Sequence, residues 1–167
     1  LVNGYTSQLN GWDAGLVGHL VDQALHVVRY DNRDVGLSTK LTGRQAQPMK
    51  VLKALQAGET PDVPYTLSDM AADGIGLLDH LGVDRAHIAG MSMGGMIVQT
   101  MAIEHPGRVA SMTSVMSTPG DPKVGAPTPE ARDVLLTPPP RDRDDYIAAS
   151  VNAAVWRSKQ FLDLDAM

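Results

Sequence analysis

A Gly-x-Ser-x-Gly segment between a predicted strand and a predicted helix constrains the fold of this chain more than any other feature. Residues 86–89 form a short apolar run that leads directly into Gly90, and Ser92 lies between Gly90 and Gly94. Nearly every residue in 95–105 is small or apolar, which predicts a buried helix. A strand that turns into a helix this abruptly needs glycines on both sides of the turn, because a Cβ there would clash. The sequence therefore predicts an α/β protein with Ser92 held at the end of a strand.

The other apolar patterns predict that helices and strands alternate through the first 118 residues. Helical spacing predicts a helix at 12–21, with one apolar stripe packed inward. It also predicts a helix at 67–81 with a one-sided apolar stripe, and Thr66 with Asp69 three residues on resembles a capping box at its start. Further strands are expected at 25–30 and 109–116, and Leu1-Val2 matches the end of another. Helices that alternate with strands form a mostly parallel sheet with flanking helices.

The pattern changes after Ser117. Seven of the 11 prolines fall between residues 119 and 140, no further strand follows, and short helical patterns occur around 128–136 and 142–159. We therefore expect a core at residues 1–118 and a mainly helical segment at 119–167.

Composition removes several classes of function. The net charge is −5 and no basic block occurs, so nucleic acid is not an expected partner. With no cysteine, the chain has no disulfide, thiolate zinc site or cysteine nucleophile, and we expect neither a metal nor a cofactor. The absence of cysteine leaves the compartment open and favours the cytoplasm. No apolar run approaches the roughly 18 residues of a membrane span, so no membrane partner is expected.

The turn at Ser92 has the chemistry of a nucleophile held in a fixed position. The hydroxyl projects from the carboxyl edge of the sheet, and the first N–H groups of the next helix point toward developing negative charge. The backbone N–H of Met93 is the candidate donor to an oxyanion. The alternative interpretation is a glycine-rich turn with an incidental serine.

Other segments match a pattern from one superfamily. Residues 31–38 (Asp-Asn-Arg-Asp-Val-Gly-Leu-Ser) are similar to a D-x-R-G-x-G-x-S motif, and residues 1–5 (Leu-Val-Asn-Gly-Tyr) correspond to a strand and oxyanion loop that usually reads H-G-x. Together with the turn at 90–95, they make the chain resemble the front half of an α/β-hydrolase fold protein. The resemblance implies that residues 1–118 supply strands three to six of the full sheet and that residues 119–167 are the start of a helical cap. Segments 65–71 and 103–109 resemble bacterial esterase-like members, and the nearest likeness is to aclacinomycin methylesterases and actinobacterial relatives.

The resemblance implies a second oxyanion donor, the backbone N–H of Tyr5, which follows the loop glycine. Asn3 and Asp34 replace the more usual histidine and glycine of the superfamily. Neither change removes a donor amide, although Asn3 can alter how the loop is held. Arg33 is expected to anchor its loop rather than to touch substrate.

The resemblance also implies an acid and a base that follow the serine in the order Ser, Asp, His. Both are expected after strands beyond 109–116, hence missing from a chain truncated at both ends. Asp121 is the candidate acid within the chain, although Gly120-Asp121-Pro122 also matches a simple turn. The five histidines all match structural positions: His19, His26, His80, His87 and His105.

The leading interpretation is a carboxylesterase-like serine hydrolase that cleaves a small hydrophobic ester-type substrate through an acyl-enzyme. Two alternatives remain: a catalytically silent binding protein of the same fold, or a carbon–carbon hydrolase or cofactor-free peroxidase. We also expect self-association through an exposed sheet edge.

Overall fold

The computed structural model describes most of the chain: residues 1–43, 46, 47, 50, 51, 53, 54, 57–121, 123–125, 128, 129, 133, 137, 140 and 142–157, the last seven by their backbone alone. Two compact units are present, Leu1–Gly125 and Ala126–Met167. The helices are α1 (Ala14–Asp22), α2 (Leu67–His80), α3 (Met93–Glu104) and α4 (Arg143–Arg157), and the strands are β1 (Ala86–Met91) and β2 (Val109–Val115).

The sheet in the described residues is short and parallel. α3 connects β1 to β2, and the two strands pair directly, with Gly90 opposite Ser114 and Met91 opposite Val115. On β1, Gly90 also forms an isolated parallel bridge with Val2. The predicted α/β class and parallel sheet with flanking helices are therefore confirmed.

The prediction of four strands is wrong for the described residues, because only two form a ladder. Residues 25–30 are not a strand. A single hydrogen bond, from the Leu1 amino group to the Val28 carbonyl at 2.7 Å, joins them to the first residues. A strand requires a repeated set of such bonds, so β-prone composition alone did not decide the outcome.

The helix α2 begins as the sequence predicts. The Thr66 hydroxyl accepts from the Asp69 N–H, and the Asp69 carboxylate accepts from the Thr66 N–H in return, which is a complete capping box. The predicted stripe of α2 is buried in its middle, at Met70, Ala71, Gly74 and Ile75.

The core lies where α2, α3 and β1 meet. Its buried apolar side chains are Val2, Met70, Ala71, Ile75, Ile88, Ile97, Val98 and Met101. A Cβ on Gly74 would come within 3.0 Å of Met101 Cε, so this glycine permits the close approach of α2 to α3.

The expected inward packing of the first helix is wrong for the described residues. α1 buries none of its side chains, and Leu16 and Val21 are 43% and 53% exposed. The helix is still capped, since Asp13 accepts from the Leu16 N–H at 2.9 Å. Its apolar spacing therefore predicts the helix but not its burial.

β2 is an edge strand of the described sheet. It pairs with β1 on one side, and Met112 and Val115 are each 42% exposed. Self-association through this edge stays a prediction.

The second unit contains α4, close to the predicted 142–159. The carboxylate of Asp142 accepts from the N–H groups of Asp144 and Asp145, which caps the start of the helix. The predicted helix at 128–136 lies largely outside the described residues. None of the described helices has the length and apolarity to cross a membrane.

Candidate active site

Ser92 forms the whole connection between a strand and a helix. β1 ends at Met91 and α3 begins at Met93, and Ser92 has φ 56° and ψ −122°. Residues other than glycine rarely adopt this backbone conformation, which costs about 1–3 kcal/mol. The Ser92 N–H donates to the Val115 carbonyl at 2.9 Å, and the Ser92 carbonyl accepts from the Gly95 N–H at 2.9 Å. These bonds to β2 and α3 hold the serine in its strained position.

The glycines on either side of Ser92 are required by backbone contacts. A Cβ on Gly90 would overlap the carbonyl of Gly94, and a Cβ on Gly94 would overlap the carbonyl of Val2. The structure thus accounts for both glycines of the motif. It also adds Gly95, where a Cβ would lie 2.5 Å from Ser117 Cβ, so the third glycine lets the end of β2 pack against α3.

The loop that begins at Asn3 lies directly against the serine. A Cβ on Gly4 would come within 3.1 Å of Ser92 Cβ and 3.5 Å of Ser92 Oγ. The Gly4 carbonyl accepts from the Ser7 N–H at 3.3 Å. Because the peptide is trans, the N–H of Tyr5 points to the opposite side from that carbonyl. Within the described residues this N–H has no hydrogen-bond partner.

Met93 follows Ser92 in the chain, and Tyr5 follows Gly4, the loop residue that lies against Ser92. Met93 is the first residue of α3, where N–H groups have no acceptor within the helix. Tyr5 is 73% exposed.

A buried polar cluster holds the loop, and the sequence analysis did not find most of it. Asn3 and Asn32 are 0% and 2% exposed. The Asn32 side chain donates to the Asn3 carbonyl at 3.0 Å, and the Asn3 side chain donates to the Gln8 carbonyl at 2.7 Å. Asn3 drew attention as a departure from histidine, but nothing in the spacing of Asn32 pointed to this contact.

Asp31 belongs to the same cluster. Hydrogen bonds from the backbone N–H groups of Leu37 and Leu9 hold the pKa of its carboxyl group below the ordinary value. The bonds measure 3.0 Å and 2.6 Å. Gly36 has φ +51°, and a Cβ there would overlap the Asp31 carboxylate. The spacing of Asp31 and Gly36 thus has a local physical cause.

Arg33 anchors its turn, as predicted. Its guanidinium group makes two hydrogen bonds to the Asp73 carboxylate of α2, at 2.6 and 2.7 Å, and a third to the Asp69 carbonyl at 3.1 Å. It also lies 5.2 Å from the centre of the Tyr65 ring.

Asp121 accepts hydrogen bonds from residues of its own turn. Its carboxylate accepts from the Lys123 N–H at 2.8 Å, and its carbonyl accepts from the Val124 N–H at 2.9 Å. This is the geometry of the simple turn that the sequence left open beside the acid.

The histidines have structural surroundings in the described residues. His19 and His80 lie in the last turns of α1 and α2, and His105 ends α3. His87 is hydrogen-bonded to Ser111 Oγ at 2.7 Å. No hydrogen bond joins a histidine to Ser92 among the described residues.

Residues 1–161 match the family model described as the alpha/beta hydrolase fold, and the chain belongs to this family. The resemblance seen in the sequence is therefore confirmed. Rhodomycin D methylesterase DnrP of Streptomyces peucetius is 31% identical over 116 residues, which cover 70% of this chain and 33% of that protein.

Solved structures agree in fold. A hydrolase from Pseudomonas aeruginosa PA01 superimposes with a TM-score of 0.57 at 24% identity, over 98% of this chain and 53% of that one. The enol-lactonase from Burkholderia xenovorans LB400 gives a TM-score of 0.54 at 24% identity, over 99% of this chain and 51% of that one. The chain thus spans about half the length of these structures and about a third of the curated relative.

Proposed function

We propose that this chain carries the nucleophile and the oxyanion hole of a serine hydrolase that acts on a small hydrophobic ester. The observation that carries the proposal is the one-residue turn at Ser92, with φ 56° between β1 and α3. Backbone strain of this kind persists only where surrounding contacts over-determine it, and it is typical of functional positions.

In the proposed reaction Ser92 Oγ attacks the ester carbonyl carbon. The carbonyl oxygen becomes an oxyanion, which accepts hydrogen bonds from the N–H groups of Met93 and Tyr5. The bond to the alcohol oxygen breaks, and the alcohol leaves with the proton that the Ser92 hydroxyl gives up. Water then hydrolyses the acyl-enzyme to release the acid and regenerate Ser92. Removing one such donor typically costs about 10²–10³ in rate.

The proposal assigns the base to none of the five histidines and does not depend on Asp121. Asp121 accepts a hydrogen bond from Lys123 within its own turn, and His87 is hydrogen-bonded to Ser111 on the neighbouring strand. The ester class is supported by the methylesterase relative, which is similar over 70% of this chain.

The test is covalent labelling. The protein is incubated with a fluorophosphonate, and intact mass is measured for the wild type and for Ser92→Ala. The expected result is one adduct on the wild type and none on the variant. Because only an activated serine reacts, such an adduct requires a base from a residue other than the five histidines or from a neighbouring chain.

An unlabelled wild type with a native circular dichroism spectrum would overturn the proposal and favour a silent binding protein. Labelling followed by turnover of p-nitrophenyl esters supports the esterase. Turnover of a vinylogous diketone without turnover of any ester would instead favour carbon–carbon bond hydrolysis.

A further inference from the structure

Two adjacent side chains hold the two ends of the loop beside Ser92. At one end, Asn32 Nδ2 donates to the Asn3 carbonyl at 3.0 Å. At the other, the Leu9 N–H donates to Asp31 Oδ1 at 2.6 Å. Because Asp31 and Asn32 are neighbours in the chain and both are buried, the two ends of the loop are fixed to one rigid turn.

The Asn3 carbonyl, which accepts the Asn32 hydrogen bond, directly precedes Gly4, the residue that lies against Ser92. The Asn3 carbonyl oxygen would lie 2.6 Å from a Cβ on Gly94, so it is confined between α3 and the Asn32 amide. Val2 is fixed in turn, since its N–H donates to Ala89 and its carbonyl accepts from Met91, at 2.8 and 3.1 Å. The chain is therefore immobilised up to Asn3.

Gly4 is the first loop residue without such a bond to the core. A rotation of the Asn3–Gly4 peptide would carry the next peptide with it and change the direction of the Tyr5 N–H. The Gly4–Ser7 hydrogen bond, at 3.3 Å, lies inside the loop and does not prevent that rotation. Only the Asn32 side chain donates to this carbonyl in the described residues.

We propose that Asn32 is a positioning residue that aligns the Tyr5 N–H with Ser92 by holding the Asn3 carbonyl. The inference rests on the proposed function. Asp31 supports the same loop at Leu9, at the end away from Gly4. A preorganised donor stabilises the transition state only when it is already aimed at the developing charge, so loss of this hydrogen bond acts on kcat more than on KM.

The principal variant is Asn32→Leu, which preserves the approximate shape and removes the donor. Arg33→Met is the matched control, because Arg33 lies in the same turn but bonds to α2 rather than to the loop. Hydrogen–deuterium exchange of the peptide covering residues 1–9 reports on the loop without requiring activity. Faster exchange is expected in Asn32→Leu and wild-type exchange in Arg33→Met.

Hydrolysis of p-nitrophenyl butyrate then tests the functional step. We expect kcat of Asn32→Leu to fall about tenfold to a hundredfold, with KM within about twofold of the wild type. Unchanged loop exchange in the folded variant overturns the inference. If the wild type is active, a kcat of Asn32→Leu equal to that of the wild type also overturns the inference.

A second variant keeps the test decisive where Asn32→Leu does not fold. In Asn32→Asp a neutral carboxyl group can donate to the Asn3 carbonyl, whereas the ionised group repels it. Burial and the adjacent Asp31 charge both favour the neutral form. The kcat ratio of Asn32→Asp to wild type is expected to fall as pH rises, and a ratio independent of pH overturns the inference. A wild type that neither labels nor turns over overturns the proposed function itself.

Discussion

The turn at Ser92 and the loop beside it differ in how far apart along the chain their supporting contacts lie. Around Ser92, the clash that excludes a side chain at Gly90 comes from Gly94, and the Ser92 carbonyl bonds to Gly95. In the loop, the Asn32 and Asp31 contacts span 29 and 22 residues. Contacts within the motif therefore shape much of the turn at Ser92, with Val2 and Val115 adding contacts from distant segments, whereas the loop is tied to the core only by contacts between distant segments.

The largest expected effect on stability comes from adding a side chain at Gly90, beside the turn at Ser92. Gly90→Ala should destabilise the protein by about 3 kcal/mol, because its Cβ overlaps the Gly94 carbonyl and backbone must move. Urea unfolding followed by circular dichroism measures the change.

Gly76→Ala in α2 is the control for this variant. A Cβ at Gly76 meets no atom within 4 Å, so alanine should stabilise the helix by about 0.5–1 kcal/mol. Equal effects at the two glycines would show that the contact at Gly90 is not restrictive.

A smaller effect is expected where the loop meets the turn. Gly4→Ala places a Cβ 3.1 Å from the Met91 carbonyl and from Ser92 Cβ, so the loop must shift by a few tenths of an ångström. We expect a loss of about 1 kcal/mol in stability and about a tenfold slower fluorophosphonate reaction. If labelling is as fast as in the wild type, the loop does not form part of the reactive site.

Relief of strain at Ser92 should be comparable in size and opposite in sign. Ser92→Gly removes the Cβ from a residue with φ 56°, and we expect about 1 kcal/mol of added stability together with loss of labelling. Ser92→Ala is the control, since it loses the hydroxyl and keeps the Cβ. Identical unfolding midpoints for the two variants would contradict strain at this position.

The smallest effect is a dependence of loop stability on pH. Since the pKa of Asp31 is lowered in the folded protein by bonds from Leu37 and Leu9, its carboxylate stabilises the fold above the ordinary value of 3.8. That contribution is lost as pH falls through the lower, folded pKa. The free energy of unfolding should therefore decrease on acidification, and Asp31→Asn should make this dependence shallower. An unchanged slope would mean that Asp31 is not linked to folding.

The elements that could be predicted are those whose causes are close in sequence. The capping box of Thr66 and Asp69 and the contact between Gly90 and the Gly94 carbonyl involve residues at most four apart, and both the capping box and the need for these glycines were predicted. Residues 25–30 have strand-forming composition but no ladder in the described structure, and α1 buries none of its side chains fully. Pairing and burial depend on a partner elsewhere in the chain, which local periodicity does not specify.

The sequence by itself determined the strand–turn–helix at Ser92, because the sterics of a tight turn act between adjacent residues. It also indicated the family, which residues 1–161 match. Only the tertiary structure decided that Asn32 reaches the Asn3 carbonyl and that Gly4 lies against Ser92. These contacts join segments brought together by the packing of α2, α3 and β1 around a shared core, and no local pattern encodes that juxtaposition.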